Sequence, residues 1–445
     1  MKVAVIGAGA AGCFCAIELK RRIPSASVEV FEAGLKALAK VAITGGGRCN
    51  LTNSFEGISS LSEAYPRGDK LMKRLFRSFD NNDTCRWFEN EGVRLVLQSD
   101  HCVFPASQNA MEIVNSLLAR MRQEGVVLRT KHKVTGIFPR PEGGYTLSTE
   151  FSGKQSLRQA QRPVCSAPAP VNPVPELVEG PTLPNSQRQH RLDYSADIVI
   201  VTTGGSPKLS GLGFLDALNL EIIPPIPSLF TFNLPDSPVR ELMGTVVENA
   251  SASLAGTKFK ANGPLLITHW GMSGPVILKL SSYAARYLVD NEYSANLSVN
   301  WFGDASELDV RSRIQSLSNA NPQKLILNTH PSELPSRLWN YLISKSGIRE
   351  DARWAELGSK GMNRLVNTLS NDEYQVRGKS RFKEEFVTCG GVALSNINLS
   401  TLECKTHPGL YFAGEVLDVD AITGGFNLQA AWSMGYVIAQ SIATK

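Results

Sequence analysis

The chain is predicted to be an α/β protein: a Rossmann-type nucleotide-binding unit interrupted by a β-rich unit and a helical subdomain. Three stretches predict this. VAVIGAGAAG near the start is an apolar strand that turns on glycine into a helix. ADIVIVTTGG, residues 196–205, is a second buried strand ending on a glycine pair. LYFAGE near the end is a third, followed by Gly-Gly and a long helical pattern. At 445 residues the chain is longer than one hydrophobic core sustains, so several units are expected.

Residues 2–6 and 28–31 are apolar runs flanking a helical pattern over 12–22, which reads as βαβ. Helical periodicity returns over 69–91, with an interruption near Asp80 to Asp83, and over 110–124, closing on a glycine. Strands are expected at 126–138 and 145–151. Residues 153–192 carry recurrent proline with no apolar period and read as a disordered insert. The expected division is therefore 1–152, 193–215 and 405–445 for the nucleotide-binding unit. Residues 216–304 and 376–404 form the β-rich unit, and 305–375 the helical subdomain.

Composition narrows the function. Apolar residues make up 42% and charged residues 20%, the mix of an ordinary globular chain. The formal charge of +5 comes with no clustered basic stripe, so nucleic-acid binding is not expected. The eight cysteines show no CxxC and no zinc spacing, which suits a reducing, cytoplasmic setting and no metal. The N-terminal run imitates a signal peptide, but its glycine spacing argues for a nucleotide turn. No uncharged apolar span reaches about 20 residues, so no membrane helix is expected.

Gly7, Gly9 and Gly12 fall at GxGxxG spacing between strand and helix. Gly7 permits the turn, Gly9 lets backbone approach a pyrophosphate, and Gly12 lets helix and strand pack closely. Glu32, at the end of the second strand, is placed to accept from a ribose hydroxyl. This predicts a dinucleotide without choosing FAD or NAD. The far end adds Gly424-Gly425 opening a helix whose backbone N–H groups would face the N1 and C2=O edge of a reduced flavin, with Glu415 for ribitol hydroxyls. In AITGGGRCNLTN, residues 42–53, three glycines can form an anion-binding nest and Arg48 a fork for phosphate. Cys49 reads as a small buried hydrophobe, with no neighbouring cysteine to resolve a disulfide.

GGGRCNLTN, THWGMSGPVILKLSS (268–282) and GLYFAGEVLDVDAITGGFNLQAAW together resemble the YhiN/BaiN-like, aminoacetone oxidase-like bacterial FAD-binding flavoproteins. The resemblance runs over nearly the whole chain outside the insert. It implies FAD on a Rossmann-type domain of the glutathione-reductase kind. On the ADP half it implies Gly7, Gly9, Ala10, Ala11, Gly12, Glu32 and Ala33, with Val134 near adenine. Lys40, Thr44, Gly45, Gly46, Gly47, Arg48, Cys49 and Asn50 would run along the cofactor. Thr203, Gly204, Gly205, Gly414, Glu415, Gly424, Gly425, Phe426, Asn427, Leu428 and Gln429 would complete the flavin site. The chain departs from the family after TTGG, where its loop is shorter, so contacts beyond Gly205 do not carry over.

The chemistry expected is hydride transfer to or from flavin N5 by an FAD-dependent oxidoreductase with a small-molecule substrate. With no second GxGxxG, NAD(P)H would dock only transiently. His269, beside Trp270, is the candidate acid or base, against a structural role in a turn; His101-Cys102 could approach the flavin through a loop. The rival readings are a flavin-dependent RNA-modifying protein and a non-catalytic flavin sensor.

Overall fold

The computed structural model describes residues 1–152, 190–378 and 387–445. A five-stranded parallel sheet has the order Leu410–Phe412, Ile198–Val201, Lys2–Ile6, Ser27–Phe31, Val127–Arg129. Ile6 lies opposite both Val201 and Phe31, and Val201 opposite Phe412. The carboxyl ends of four strands from distant parts of the sequence are therefore level, and the segments that follow them leave from one edge. In open α/β sheets that edge is where ligands bind.

The first helix, Ala10–Arg22, is buried from Ala10 to Leu19 because the closing helix, Phe426–Ala443, packs directly on it. Gly435 sets the approach: a side-chain carbon there would stand 3.1 Å from the Ala11 carbonyl oxygen. The expected interruption near residue 80 is a helix boundary. Asp80 caps Asn81–Asn90 in a reciprocal capping box, and Asp69–Leu75 ends before it. Asn109 caps Ala110–Gln123 by accepting from Met111 N–H.

A six-stranded antiparallel sheet carries the second body, in the order Phe232–Asn233, Gly271–Ser273, Lys260–Ile267, Val246–Leu254, Ser294–Asn300, Asp372–Arg377. Strict alternation of buried and exposed residues along Asp372–Arg377 marks a sheet with one face on a core. That core gathers Phe232, Trp301, Trp339, Leu365 and Val376 and takes in the helices Glu307–Ala320, Ser336–Lys345 and Gly358–Ser370. A separate core holds the parallel sheet and its helices. Between the two lies a two-stranded ribbon, Ile222–Pro227 with Thr388–Val392.

Several expectations change in detail. The strand drawn over 126–138 is two, Val127–Arg129 and His132–Pro139, broken where Lys131 takes φ +61°. Within the stretch expected to be β-rich, Pro275–Tyr283 and Ala285–Asp290 are helical, the first opening at Gly274-Pro275. Residues 372–375, grouped by sequence with the helices, belong to the strand Asp372–Arg377 that completes the six-stranded sheet. Val392, Ile397, Leu402 and Cys404, grouped with the β-rich unit, lie in the first core. The insert reading falls outside the described residues up to 189. From His190 the chain is a strand, His190–Ala196, paired with Tyr145–Phe151.

Candidate functional site

The site begins where the first strand ends. Gly7 has φ +105°, and a side-chain carbon on it would lie 2.5 Å from the Thr202 carbonyl oxygen. One at Gly12 would overlap the Gly7 carbonyl oxygen. Both glycines are required by protein packing. Gly9 differs, because nothing lies within 4 Å of an added carbon. It is extended, at φ −85° and ψ −167°, as N-cap of the first helix, so its backbone presents an open face. The first-turn N–H groups through Gly12 have no intrahelical acceptors and point the same way.

Glu32 is fixed at this turn. Its Oε2 accepts from Ala8 N–H at 3.0 Å and its Oε1 from Gly34 N–H at 2.7 Å, beside exposed Ala33. A carboxylate with such lone pairs still free can take ribose hydroxyls. The strand bearing Val134 leaves from the same place, since His132 N–H donates to the Glu32 carbonyl at 2.9 Å.

Residues 203–205 and 414–415 emerge from the neighbouring strands. Glu415 Oε1 accepts from Thr388 N–H at 2.8 Å and from its hydroxyl at 3.0 Å, while Oε2 meets Lys40 Nζ at 3.3 Å. Gly204 lies beside both charged groups, and a side chain at Gly205 would overlap Thr388 and Glu415. Thr203 opens this turn. Gly414 stands against Ala11, its added carbon 3.4 Å from the alanine methyl, so the closing segment meets the opening helix in the first turn.

In the third segment the helix beginning at Ala39 loses helical geometry at Thr44 (ψ 149°). Gly45, Gly46 and Gly47 follow with φ of +58°, +69° and +85°, and space around Gly46 and Gly47 is open. Arg48 departs from the phosphate-fork reading: its guanidinium lies over the Phe104 ring at 4.5 Å and its Nε donates to the Gly45 carbonyl at 3.1 Å. Cys49 is buried at φ +63° with its thiol pushed up to about 12 by burial, so it is a packing residue.

Asn50 ties this segment to the closing turn. Its amide donates to the Thr52 carbonyl at 3.0 Å and accepts from Gly425 N–H at 3.2 Å. That bond takes one N–H expected to face the flavin. Those of Phe426, Asn427 and Leu428, in the first turn of the closing helix, have no acceptor within the helix. The side chains do structural work: Asn427 closes on Ala421 by two 2.9 Å bonds, buried Gln429 accepts from Thr52 Oγ1 at 2.6 Å, and Phe426 packs edge-on to Phe55. Here the backbone faces the site while the side chains hold it.

Asn53 was expected from sequence as an amide partner in the 42–53 segment, whereas Thr388 and Arg67 carried no signal. Asn53 donates to the Gly424 carbonyl at 3.0 Å. Thr388 arrives from the two-stranded ribbon. Arg67 forms a forked ion pair with fully buried Asp420 and donates to Ser228 Oγ at 3.1 Å and the Ser282 carbonyl at 3.0 Å, fastening the loop before Gly424 to the second body. Such a pair, once buried, is costly to break. A hydrophilic residue inside an aspartate-rich loop would have been the cue for Asp420; Arg67 stands in no motif. His269 sits elsewhere, on the turn joining two strands of the six-stranded sheet. Its carbonyl accepts from Arg240 at 2.7 Å and its ring meets Trp270 edge-on at 4.1 Å.

Residues 1–164 match the family model described as the HI0933-like protein Rossmann domain, and residues 226–387 match the HI0933-like protein barrel and H2TH domain. The chain belongs to the HI0933-like family. It is an FAD-dependent oxidoreductase of that family. Its curated relatives include the ribosomal RNA dihydrouridine synthases of Escherichia coli strain K12, 27% identical over 98% of this chain and 97% of the relative, and of Haemophilus influenzae, 27% identical over 99% and 98%. A third, the 3-dehydro-bile acid delta(4,6)-reductase of Clostridium scindens, is 24% identical over 100% of this chain and 99% of the relative. Among the described residues, no helix is long and apolar enough to cross a membrane and no group of side chains is placed to hold a metal ion.

Proposed function

We propose that this HI0933-like protein saturates a carbon–carbon double bond conjugated to a carbonyl, taking hydride equivalents through FAD. One observation carries the reading. Four level strand ends, the open face at Gly9, the Gly46-Gly47 bend and the first turn of the closing helix converge on one edge of the parallel sheet, in a shape suited to an extended dinucleotide. Gly9 and the N–H groups behind it would hold pyrophosphate, Glu32 the adenosine ribose, Glu415 and Lys40 the ribitol end, and Phe426 to Leu428 N–H groups the pyrimidine edge of the ring. Bound there, FAD would supply hydride transfer at N5.

The bond class follows from the chemistry that the relatives' names share. Making dihydrouridine adds two hydrogens across the uracil double bond, which is conjugated to a carbonyl; reducing a 3-dehydro delta(4,6) bile acid does the same to a conjugated dienone. We take that group as the substrate class. It comes from two sources, a uracil base in RNA or a small enone, the latter in keeping with the small-molecule expectation.

The test is anaerobic. FAD-loaded protein, photoreduced, is mixed in one arm with a uridine-containing ribosomal RNA fragment and in the other with 2-cyclohexen-1-one. Reoxidation of the flavin together with a product heavier by two hydrogens, in either arm, is the expected result and names the source. Protein that stays reduced in both arms contradicts the reading. Parallel mixing of oxidised protein with NADH and NADPH identifies the donor by bleaching of the flavin bands.

A further inference from the structure

The helix Asp69–Leu75 belongs to the first body and supplies no group to the cofactor site. Leu71, Met72 and Leu75 are buried against the core, as is Phe79 just beyond. Helical bonding runs on past Leu75: Phe76 N–H donates to the Met72 carbonyl at 2.9 Å and Phe79 N–H to the Leu75 carbonyl at 3.0 Å. Outward stand Lys70, Lys73, Arg74 and Arg77, all exposed. Their i, i+3, i+4, i+7 spacing gathers them on one side of the helix, along roughly 10 Å of its axis. Composition gave no reason to expect nucleic acid, yet folding makes a basic stripe here.

These cations do not hold the fold together. Elsewhere in this body basic residues are neutralised: Arg21 meets Glu91 at 2.6 Å, and Arg22 and Arg120 pair with Glu18 and Glu91. Among the described residues, none of the four on this face lies within ion-pair distance of a carboxylate. Arg74 is tethered by Nη1, which donates to Ser400 Oγ at 2.8 Å. The helix's one acid, Asp69, stands in its first turn, where the helix dipole favours it. Like charges at these spacings repel, so the face gains stability when an anionic partner lies on it.

The chemistry of the face selects the anion. Among the described residues, none of the exposed large apolar side chains lies on this helix, which leaves no anchor of the kind protein partners use. Its apolar side is buried, which leaves nothing to enter a lipid surface. A polar, strongly positive surface is the mark of nucleic-acid binding. The face also starts close to the cofactor turn. Gly68, the N-cap of the helix, lies against Val419, an added carbon standing 2.7 Å from its Cγ2, and Val419 begins the stretch that leads to Gly424.

Resting on the double-bond reading above, with uracil in RNA as the source, we propose that Lys70, Lys73, Arg74 and Arg77 dock single-stranded RNA by its phosphates. A base must leave the stack before an enzyme can reach it, so an unpaired strand is the form required. Phosphate contacts position a strand and carry no sequence information. The choice of base is then made at the cofactor edge.

The test has two arms. In the first, oxidised FAD-loaded protein is titrated into a fluorescein-labelled, single-stranded, uridine-containing ribosomal RNA fragment at several salt concentrations, followed by anisotropy. Four phosphate contacts predict a slope of about −3 in log K against log salt. Changing all four residues to Gln should weaken binding by about tenfold or more and flatten the slope by about 2 or more, with FAD content unchanged. The control Lys324→Gln/Lys360→Gln, on the second body, should bind as the wild type does. Equal affinity and slope in wild type and quadruple variant would overturn the assignment. So would a wild type that leaves RNA free but binds polyglutamate or phosphatidylserine vesicles. In the second arm, photoreduced wild type and quadruple variant are mixed with the RNA fragment below saturation and with 2-cyclohexen-1-one. The variant should be reoxidised about tenfold more slowly than the wild type by RNA and at the same rate by any enone that reoxidises the wild type. Equal loss with both probes would overturn the docking role. RNA binding that depends on the four residues, in a protein that neither probe reoxidises, would overturn the double-bond reading and support the docking face.

Discussion

The two glycine-rich turns of this site use glycine for opposite reasons. At Gly7 and Gly12 an added carbon would run into backbone, the Thr202 carbonyl in one case and the Gly7 carbonyl in the other. At Gly46 and Gly47 the surroundings are empty and only the positive φ demands glycine. Gly9 belongs with neither, having both an allowed φ and free space. Glycine in the first turn therefore joins helix to sheet, in the second it bends an exposed backbone, and at Gly9 it leaves room for something else.

Substitutions can break this comparison. The largest effect is expected from Gly12→Val, which forces a branched side chain into the Gly7 carbonyl and Thr202. About 3 kcal/mol of stability should be lost, read as a lower urea midpoint of the apoprotein; an unchanged midpoint would contradict the packing role. Glu32→Ala removes the acceptor held by Ala8 and Gly34, and FAD affinity measured by fluorescence quenching should fall by about 2 kcal/mol. Gly46→Ala meets no atoms but places a side chain at φ +69°. Its cost should be about 1 kcal/mol in the apoprotein. Gly9→Ala is the sharpest discriminator, because apoprotein stability should stay within about 0.5 kcal/mol while FAD binding weakens. A mutant that unfolds early, or that binds FAD as the wild type does, would place Gly9 with the packing glycines.

What was legible in the sequence follows the same division. The strand-to-helix turn at Gly7 and the closing helix at Gly425 were readable because local chain requirements, tight turns and helical spacing, write themselves into neighbouring residues. The roles of Asn50 and Gln429 were not. Both were assigned to the cofactor, yet Asn50 caps Gly425 across 375 residues of sequence and Gln429 bonds to Thr52 across 377. Arg48 was read as a phosphate fork because its neighbours are glycines, while its partner, Phe104, lies on another strand. Thr388 and Arg67 reach the site only through tertiary contacts, with Glu415 and Asp420, which no local pattern encodes. The helix Pro275–Tyr283 hid among β-like runs because its apolar residues are β-branched or leucine in near-continuous order, a pattern that short strands share.

The central claim is that these separated stretches of backbone enclose one FAD. Titrating apoprotein with FAD, followed by quenching of flavin fluorescence, tests it most directly when wild type and Gly9→Ala are compared side by side. The account predicts saturation at one FAD per chain for the wild type and a clearly weaker isotherm for Gly9→Ala at equal fold stability. A folded wild-type chain that leaves flavin fluorescence untouched would contradict it.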